Sequence, residues 1–233
     1  MRSRTSTTPA EIPLELAEFA EGLSAFLPED PGIGVGEQRD GYYIGTGLDG
    51  PWAWVQRLRL EPDAAPRVVE DVRAFMRAHG KTIGSWWVSD RSEPRDLEER
   101  LLACGLEIDP DDYDIGSLAT LSAPPPGAEG IRVGREHLSQ HATLYSASID
   151  GEVVGGARAF FGPRGALLSG GATELEFRGR GVYRALVRAR WDDAVARGTP
   201  ALIVQAGVMS EPILRRLGFV EVCRFRRLGD VLS

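Results

Sequence analysis

The sequence predicts an α+β fold: a mixed, mostly antiparallel central sheet flanked by helices, built from two related units in tandem. Three observations lead there. Three consecutive prolines inside Ser122-Ala-Pro-Pro-Pro-Gly-Ala-Glu-Gly130 exclude helix interior and sheet centre alike, and part the chain into halves of ordinary domain size. The second half reads as three antiparallel strands, helix, strand, helix, strand. The first half repeats part of that order, as two copies of one unit would. The expected organisation is a disordered tail over 1–10, units over 11–121 and 131–233, and a Pro-rich linker over 122–130.

In the first half, residues 53–60 are strand-like, and 65–78 carry a helical pattern that stops at His79-Gly80. A strand over 82–88, a helix over 95–103 and an extended stretch opening at Gly105-Leu106 follow. The second half opens with Ile131-Arg-Val133 and continues as a strand over 142–149, a tight turn at Asp150-Gly151 and a partner strand over 153–161. Gly162-Pro-Arg-Gly165 turns into a third strand over 166–175. A helix spans 182–196, with Val182, Leu186 and Ala189 on one stripe and Val187, Trp191 and Val195 broadening it. Arg197-Gly198 stops it, because glycine accepts the left-handed backbone at a helix end. A strand over 201–205, a helix over 211–217 and a strand over 219–225 complete the order.

Composition excludes several classes. Hydrophobic residues at 42% and charged residues at 26% of 233 are those of a globular protein, and no run of 18 apolar residues is present to span a membrane. The net charge of −7 argues against non-specific nucleic-acid binding, which depends on neutralising phosphates. The charge is unevenly spread: residues 178–228 hold 11 arginines against four acids, a net of +7, and the rest carries −14. A basic segment in an acidic protein suggests a local anionic partner, although arginines spread over helix surfaces give the same count. Of the 27 basic residues only Lys81 is a lysine. The guanidinium fork suits phosphate and carboxylate, while a codon bias would produce the same ratio. Cys104 and Cys223 read as two reduced thiols, and the N-terminus lacks the apolar stretch of a signal peptide, so the expected compartment is the cytoplasm.

The most informative stretch is Arg178-Gly179-Arg180-Gly181, between a strand and a helix. Glycines let a backbone approach a ligand closely. The free N–H groups and positive dipole end of the following helix make a site for phosphate or pyrophosphate, and Arg178, Arg180 and Arg184 add charge. The segment Thr173-Glu-Leu-Glu-Phe-Arg-Gly-Arg-Gly-Val-Tyr-Arg-Ala-Leu186 resembles the acetyl-CoA pyrophosphate loop of the GCN5-related N-acetyltransferase family, whose pattern is Arg/Gln-x-x-Gly-x-Gly/Ala. Ile213-Leu-Arg-Arg-Leu-Gly-Phe219 resembles the same family's C-terminal Leu-Tyr-x-x-Leu-Gly-Phe motif. The two lie in the right order and spacing, and the match covers roughly 143–225.

The resemblance implies that acetyl-CoA is the acyl donor and that a small-molecule amine attacks its thioester. Backbone amides of Gly179, Arg180, Gly181, Val182, Tyr183 and Arg184 would hold the pyrophosphate beside Arg178. The main chain near Thr173 and Leu175 would take the pantetheine arm as an added strand. Neither nucleic acid nor membrane is implied, and a homodimer is compatible with it.

Departures accompany the match. Tyr183 occupies the loop's second Gly/Ala position, where a bulky side chain must point away from the phosphates. Leu214 aligns with the tyrosine that commonly protonates the leaving thiolate, and Gly207 with an asparagine seven residues earlier. Glu174 and Glu176 are candidates for the general base, or else exposed loop carboxylates; Tyr145 and Ser210 are candidates for the missing acid. In the family two pocket-shaping helices separate the first two strands, whereas here only 136–142 intervenes. The acceptor side is therefore shortened or supplied by the first half. That half carries Glu61-Pro-Asp-Ala-Ala-Pro66 where the loop would be, without glycine and with two carboxylates, so it is expected to hold no second donor. A catalytically reduced acyl-CoA-binding or interaction module is the alternative reading.

Three further features carry other readings. Gly45-Thr-Gly-Leu-Asp-Gly50 matches the dinucleotide pattern G-x-G-x-x-G, but a strand-like Pro51-Trp-Ala-Trp-Val follows, which makes Asp49-Gly50 a hairpin turn. His137 and His141 have the spacing of a metal pair but no further ligand nearby, so no metal site is expected. Trp52, Trp54, Trp86 and Trp87 suit a core or a pocket wall.

Overall fold

A computed structural model of the chain describes residues 12–28, 30, 34–47, 49–110 and 113–232. The expected tail over 1–10 lies outside them. The described elements are α1 (Leu14–Glu21), β1 (Val35–Arg39), β2 (Tyr42–Thr46), β3 (Trp52–Gln56), α2 (Ala65–Ala78), β4 (Ile83–Ser89), α3 (Leu97–Ala103), β5 (Glu107–Ile108), β6 (Asp114–Thr120) and β7 (Ile131–His137). They continue as β8 (Ala142–Ile149), β9 (Glu152–Gly162), β10 (Gly165–Thr173), α4 (Val182–Ala196), β11 (Leu202–Ala206), α5 (Glu211–Arg216) and β12 (Val220–Val231).

All twelve strands join one sheet in the order β1-β2-β3-β4-β12-β6-β11-β10-β9-β8-β7, with β5 beside the end of β12. The fold is α+β, mostly antiparallel, with two parallel pairs, β3/β4 and β10/β11. Each parallel pair needs a crossover, supplied by α2 in one half and α4 in the other. The order strand, crossover helix, parallel strand, short helix, antiparallel strand therefore occurs twice. The last strands of the two halves are interleaved. The late strand β12 lies between β4 and β6 of the first half, and β6 lies between β12 and β11 of the second.

Alternation along these strands sends their two faces to different partners. One face packs under α2 and α3 around Val68, Val72, Trp86 and Leu228, and under α4 and α5 around Tyr145, Leu168, Leu186, Val204 and Leu214. The centre of the other face is covered by α1, whose Leu16, Phe19 and Ala20 meet Ala119 and Ile203. The buried side chains of α2 recur at helical spacing from Ala65 to Met76, and Pro66 sits in its first turn, where a missing N–H costs nothing.

Several boundaries differ from the sequence expectation. The first-half strand ends at Gln56 rather than residue 60, because Arg57 takes a positive φ of 57° and turns the chain. The third strand of the second half stops at Thr173, and Leu175–Phe177 forms a 3-10 turn. The final strand runs on to Val231, since it has β4 on one side and β6 then β5 on the other. The elements α1, β1 and β2 were not anticipated; β1, Val-Gly-Glu-Gln-Arg, is almost wholly exposed and has no alternation to read. Gly45 and Asp49 fall in the β2–β3 hairpin.

Candidate functional site

The two parallel pairs end differently, and the difference makes a cleft in one half. Strands β10 and β11 pair at three positions, Ala166↔Leu202, Leu167↔Ile203 and Leu168↔Val204, and then part. Past Leu168, β10 breaks register between Ser169 and Ala172 and stays with β9, while β11 stays with β6. In the first half the equivalent gap is zipped shut. The Leu60 N–H donates to Glu93 O (2.9 Å), and the Glu93 N–H donates to Leu58 O (3.0 Å). Main-chain groups that a ligand would need there are consumed, and Glu61 and Asp63 lie exposed in the turn before α2.

The open gap continues into a cleft of about 780 Å³ bounded by the end of β10, the 178–181 loop, the first turn of α4 and the inner side of α5. Gly181 has φ 91° and Gly179 φ 78°, left-handed conformations that favour glycine, and Gly181 leads directly into α4. The first helical bond runs from the Ala185 N–H to Gly181 O, so the amides of residues 182–184 precede it and face the N-terminal end of the dipole.

Thr173, Arg178, Gly179, Arg180, Gly181, Val182, Tyr183 and Arg184 all line this cleft, as does Ser210. Leu175 does not, and its side chain is exposed. Glu174 and Glu176 are exposed and lie outside the cleft lining. Tyr145 is buried beneath the sheet, where its hydroxyl donates to Asp193 Oδ2 (2.6 Å). Burial and the adjacent carboxylate hold its phenol well above the ordinary range. Leu214 is fully buried under α4, and its side chain belongs to the core.

Tyr183 fits because of a glycine across from it. A Cβ on Gly171 would come within 2.7 Å of the Tyr183 Cε2, so the ring occupies room that β10 leaves by having no side chain there. Burial raises the Tyr183 pKa, partly offset by the Arg190 guanidinium that faces it. Arg190 is itself 1% exposed. Its Nε donates to Leu186 O and its Nη1 to Arg158 O, and burial lowers its pKa to about 10.

Two walls of the cleft were not anticipated. Pro125 and Ala128 of the Pro-rich segment line it, because that segment straps α4. Arg188 Nη1 donates to Pro124 O (3.2 Å), and Gly127 has no Cβ, which would sit 2.6 Å from that of Ala185. Opposite them stand Met209, Ile213, Arg216 and Leu217. The i, i+3, i+4 spacing of the last three was the available signal that one helix face turns inward. Among the described residues no group of three His, Cys, Asp or Glu side chains converges as a metal requires; His137 Nδ1 lies 3.1 Å from Thr143 Oγ1.

No protein-family model matches the sequence, and no curated protein sequence does. Solved structures do resemble the fold. A GCN5-related N-acetyltransferase from Kribbella flavida is similar with TM-score 0.70 and 15% identity, over 93% of this chain and 96% of the other. A tandem GNAT protein from the clavulanic acid biosynthesis pathway gives 0.55 and 12%, over 93% and 94%. A putative acetyltransferase from Novosphingobium aromaticivorans gives 0.54 and 15%, over 94% and 96%. The fold is thus that of the GCN5-related N-acetyltransferases.

Proposed function

We propose that the chain is an N-acetyltransferase that binds acetyl-CoA in the 780 Å³ cleft and transfers its acetyl group to a small-molecule amine by direct attack. The observation that carries this reading is the open gap between β10 and β11 leading onto the Gly179–Gly181 loop and the first amides of α4, with Arg178, Arg180 and Arg184 beside them. The diphosphate would accept hydrogen bonds from those amides. The pantetheine arm would run back along Thr173 to Gly171, using main-chain groups that have no strand on that side. The thioester then lies near the register break of β10, where backbone N–H groups can face the developing oxyanion.

The amine nitrogen attacks the carbonyl carbon, the carbon–sulfur bond breaks, and the sulfur leaves as thiolate while the nitrogen loses a proton. Of the four acid and base candidates, Ser210 alone lines the cleft. We assign it the hydrogen bond to the departing sulfur. The tetrahedral intermediate collapses without a buried general base, and the amine proton passes to water at the open mouth. Held geometry carries most of the rate.

Gly179→Asp is the discriminating variant. Nothing lies within 4 Å of a Cβ at Gly179, and aspartate is among the side chains that best accept its φ of 78°, so the cost to the fold, read from the melting temperature without ligand, is small, while the carboxylate repels the diphosphate. Acetyl-CoA is expected to raise the melting temperature of the wild type and to leave Gly179→Asp unmoved; no shift in the wild type refutes the site. Turnover is read as free thiol released with a panel of amines. Ser210→Ala should lower that rate about tenfold or more at unchanged acetyl-CoA affinity. Binding without thiol release for any amine would favour a binding module, the reading suggested by Leu214 filling the core where the family's acid stands.

A further inference from the structure

Four guanidinium groups line the cleft, from Arg178, Arg180, Arg184 and Arg216, and no carboxylate does. Among the described residues none of the four makes an ion pair. Arg178 Nε reaches the Thr173 carbonyl at 3.4 Å, and Arg180 lies over the Phe177 ring. Arg184 has its Nε buried without a partner. Of the seven other arginines of the same basic stretch, Arg190 and Arg197 bind main-chain carbonyls and the remaining five pair with acids. Arg188, Arg215, Arg224, Arg226 and Arg227 are each bound to carboxylates.

Arg216 stands apart from the other three. It comes from the end of α5, on the wall opposite the Gly179–Gly181 loop, and its neighbour Arg215 shows that carboxylates were within reach of that helix. Glu211 and Glu221 are both taken by Arg215 and Arg224. Arg216 faces the cleft instead, next to the apolar Ile213 and Leu217, a strip on which a flat base can lie.

The charge is more than a diphosphate requires. Arg178, Arg180 and Arg184, in the loop and the first turn of α4, already exceed its two negative charges. Arg216, across the cleft, has no part of it to neutralise. We propose that Arg216 binds a separate phosphomonoester at the nucleotide end of the donor, so that the cleft selects a donor with three phosphates. Such a donor is a free acyl-CoA, with its 3′-phosphate. The same thioester arm on 3′-dephospho-CoA, or on the phosphopantetheine of a carrier protein, lacks that group. This assignment rests on the reading of the cleft as an acyl-CoA site and adds which part of the donor it discriminates.

The test is calorimetric binding of CoA and of 3′-dephospho-CoA to the full chain. The wild type is expected to prefer CoA by about tenfold or more, the worth of one charge-assisted hydrogen-bonded pair. Arg216→Gln, at an exposed position, should bind both ligands with the wild-type affinity for 3′-dephospho-CoA. Arg215→Gln, one residue away but turned to Glu211 and Glu221, should keep the preference. Equal wild-type affinity for the two ligands, or an undiminished preference in Arg216→Gln, overturns the assignment while leaving the acyl-CoA reading intact. Absence of CoA binding by the wild type overturns that reading and the assignment with it.

Discussion

Arg190 is a fully buried cation whose described hydrogen bonds go to two main-chain carbonyls, with one terminal nitrogen unpaired. Burying a charge without a carboxylate costs free energy that two carbonyl bonds do not recover. Arg190→Met should therefore raise the free energy of unfolding by about 1 kcal/mol or more, read from the urea midpoint; a lower value would show that the contact with Tyr183 outweighs the cost of the buried charge. Two other buried polar groups are fully partnered and act as clamps. Tyr145 donates to Asp193, which also takes Arg135, the cross-strand partner of that tyrosine. Tyr42, Asp71 and Arg39 repeat the arrangement in the first half. Each clamp ties a crossover helix to the strands beneath it. Glu21 supplies the pH dependence. Its burial opposes ionisation, but bonds from Arg59 and Ser89 outweigh it and hold the carboxyl below its ordinary value of 4.5. A depressed folded pKa stabilises the fold above the unfolded value and is lost as pH falls through the folded one. The deficit of Glu21→Gln relative to wild type, about 2 kcal/mol at pH 7, should accordingly shrink as pH falls below 4.5, read from urea midpoints across that range.

Elements were legible in the sequence in proportion to how locally they are determined. Helix α4 and its loop could be read because stripe, stop and glycines lie within twenty residues of one another, and the loop's chemistry is carried by its own backbone. The same holds for α2 and for the β8–β9 hairpin. The strap over α4 was not legible: its prolines read as a break, and only the approach of Gly127 to Ala185, far along the chain, makes the segment a wall. Nor was the fit of Tyr183 to Gly171, which turns an apparent departure from the loop pattern into a matched pair. Gly171→Ala should destabilise the chain by about 1–3 kcal/mol, because the added methyl overpacks the ring. Combining it with Tyr183→Leu should recover part of that loss, and a double-mutant cycle measures the coupling.

At the scale of the molecule, the repeated unit was visible in the order of elements, whereas the exchange of strands was not. Nothing in the composition of residues 220–231 says that they pair with β4 as well as β6. Physically, the interleaving puts the C-terminal strand of each half between strands of the other, so neither half has a complete sheet alone. Residues 131–233 expressed by themselves should not give a soluble folded protein. The full chain should unfold in one transition, with tryptophan fluorescence and far-ultraviolet circular dichroism tracing the same urea curve; two separated transitions would refute this. The position of β12 also bears on biosynthesis. The strand in fifth place from β1, between β4 and β6, is the last to be made. Between the emergence of Ser89 and that of Val231, β4 presents an unpaired edge, and the nascent chain carries that aggregation-prone surface while residues 90–231 are made.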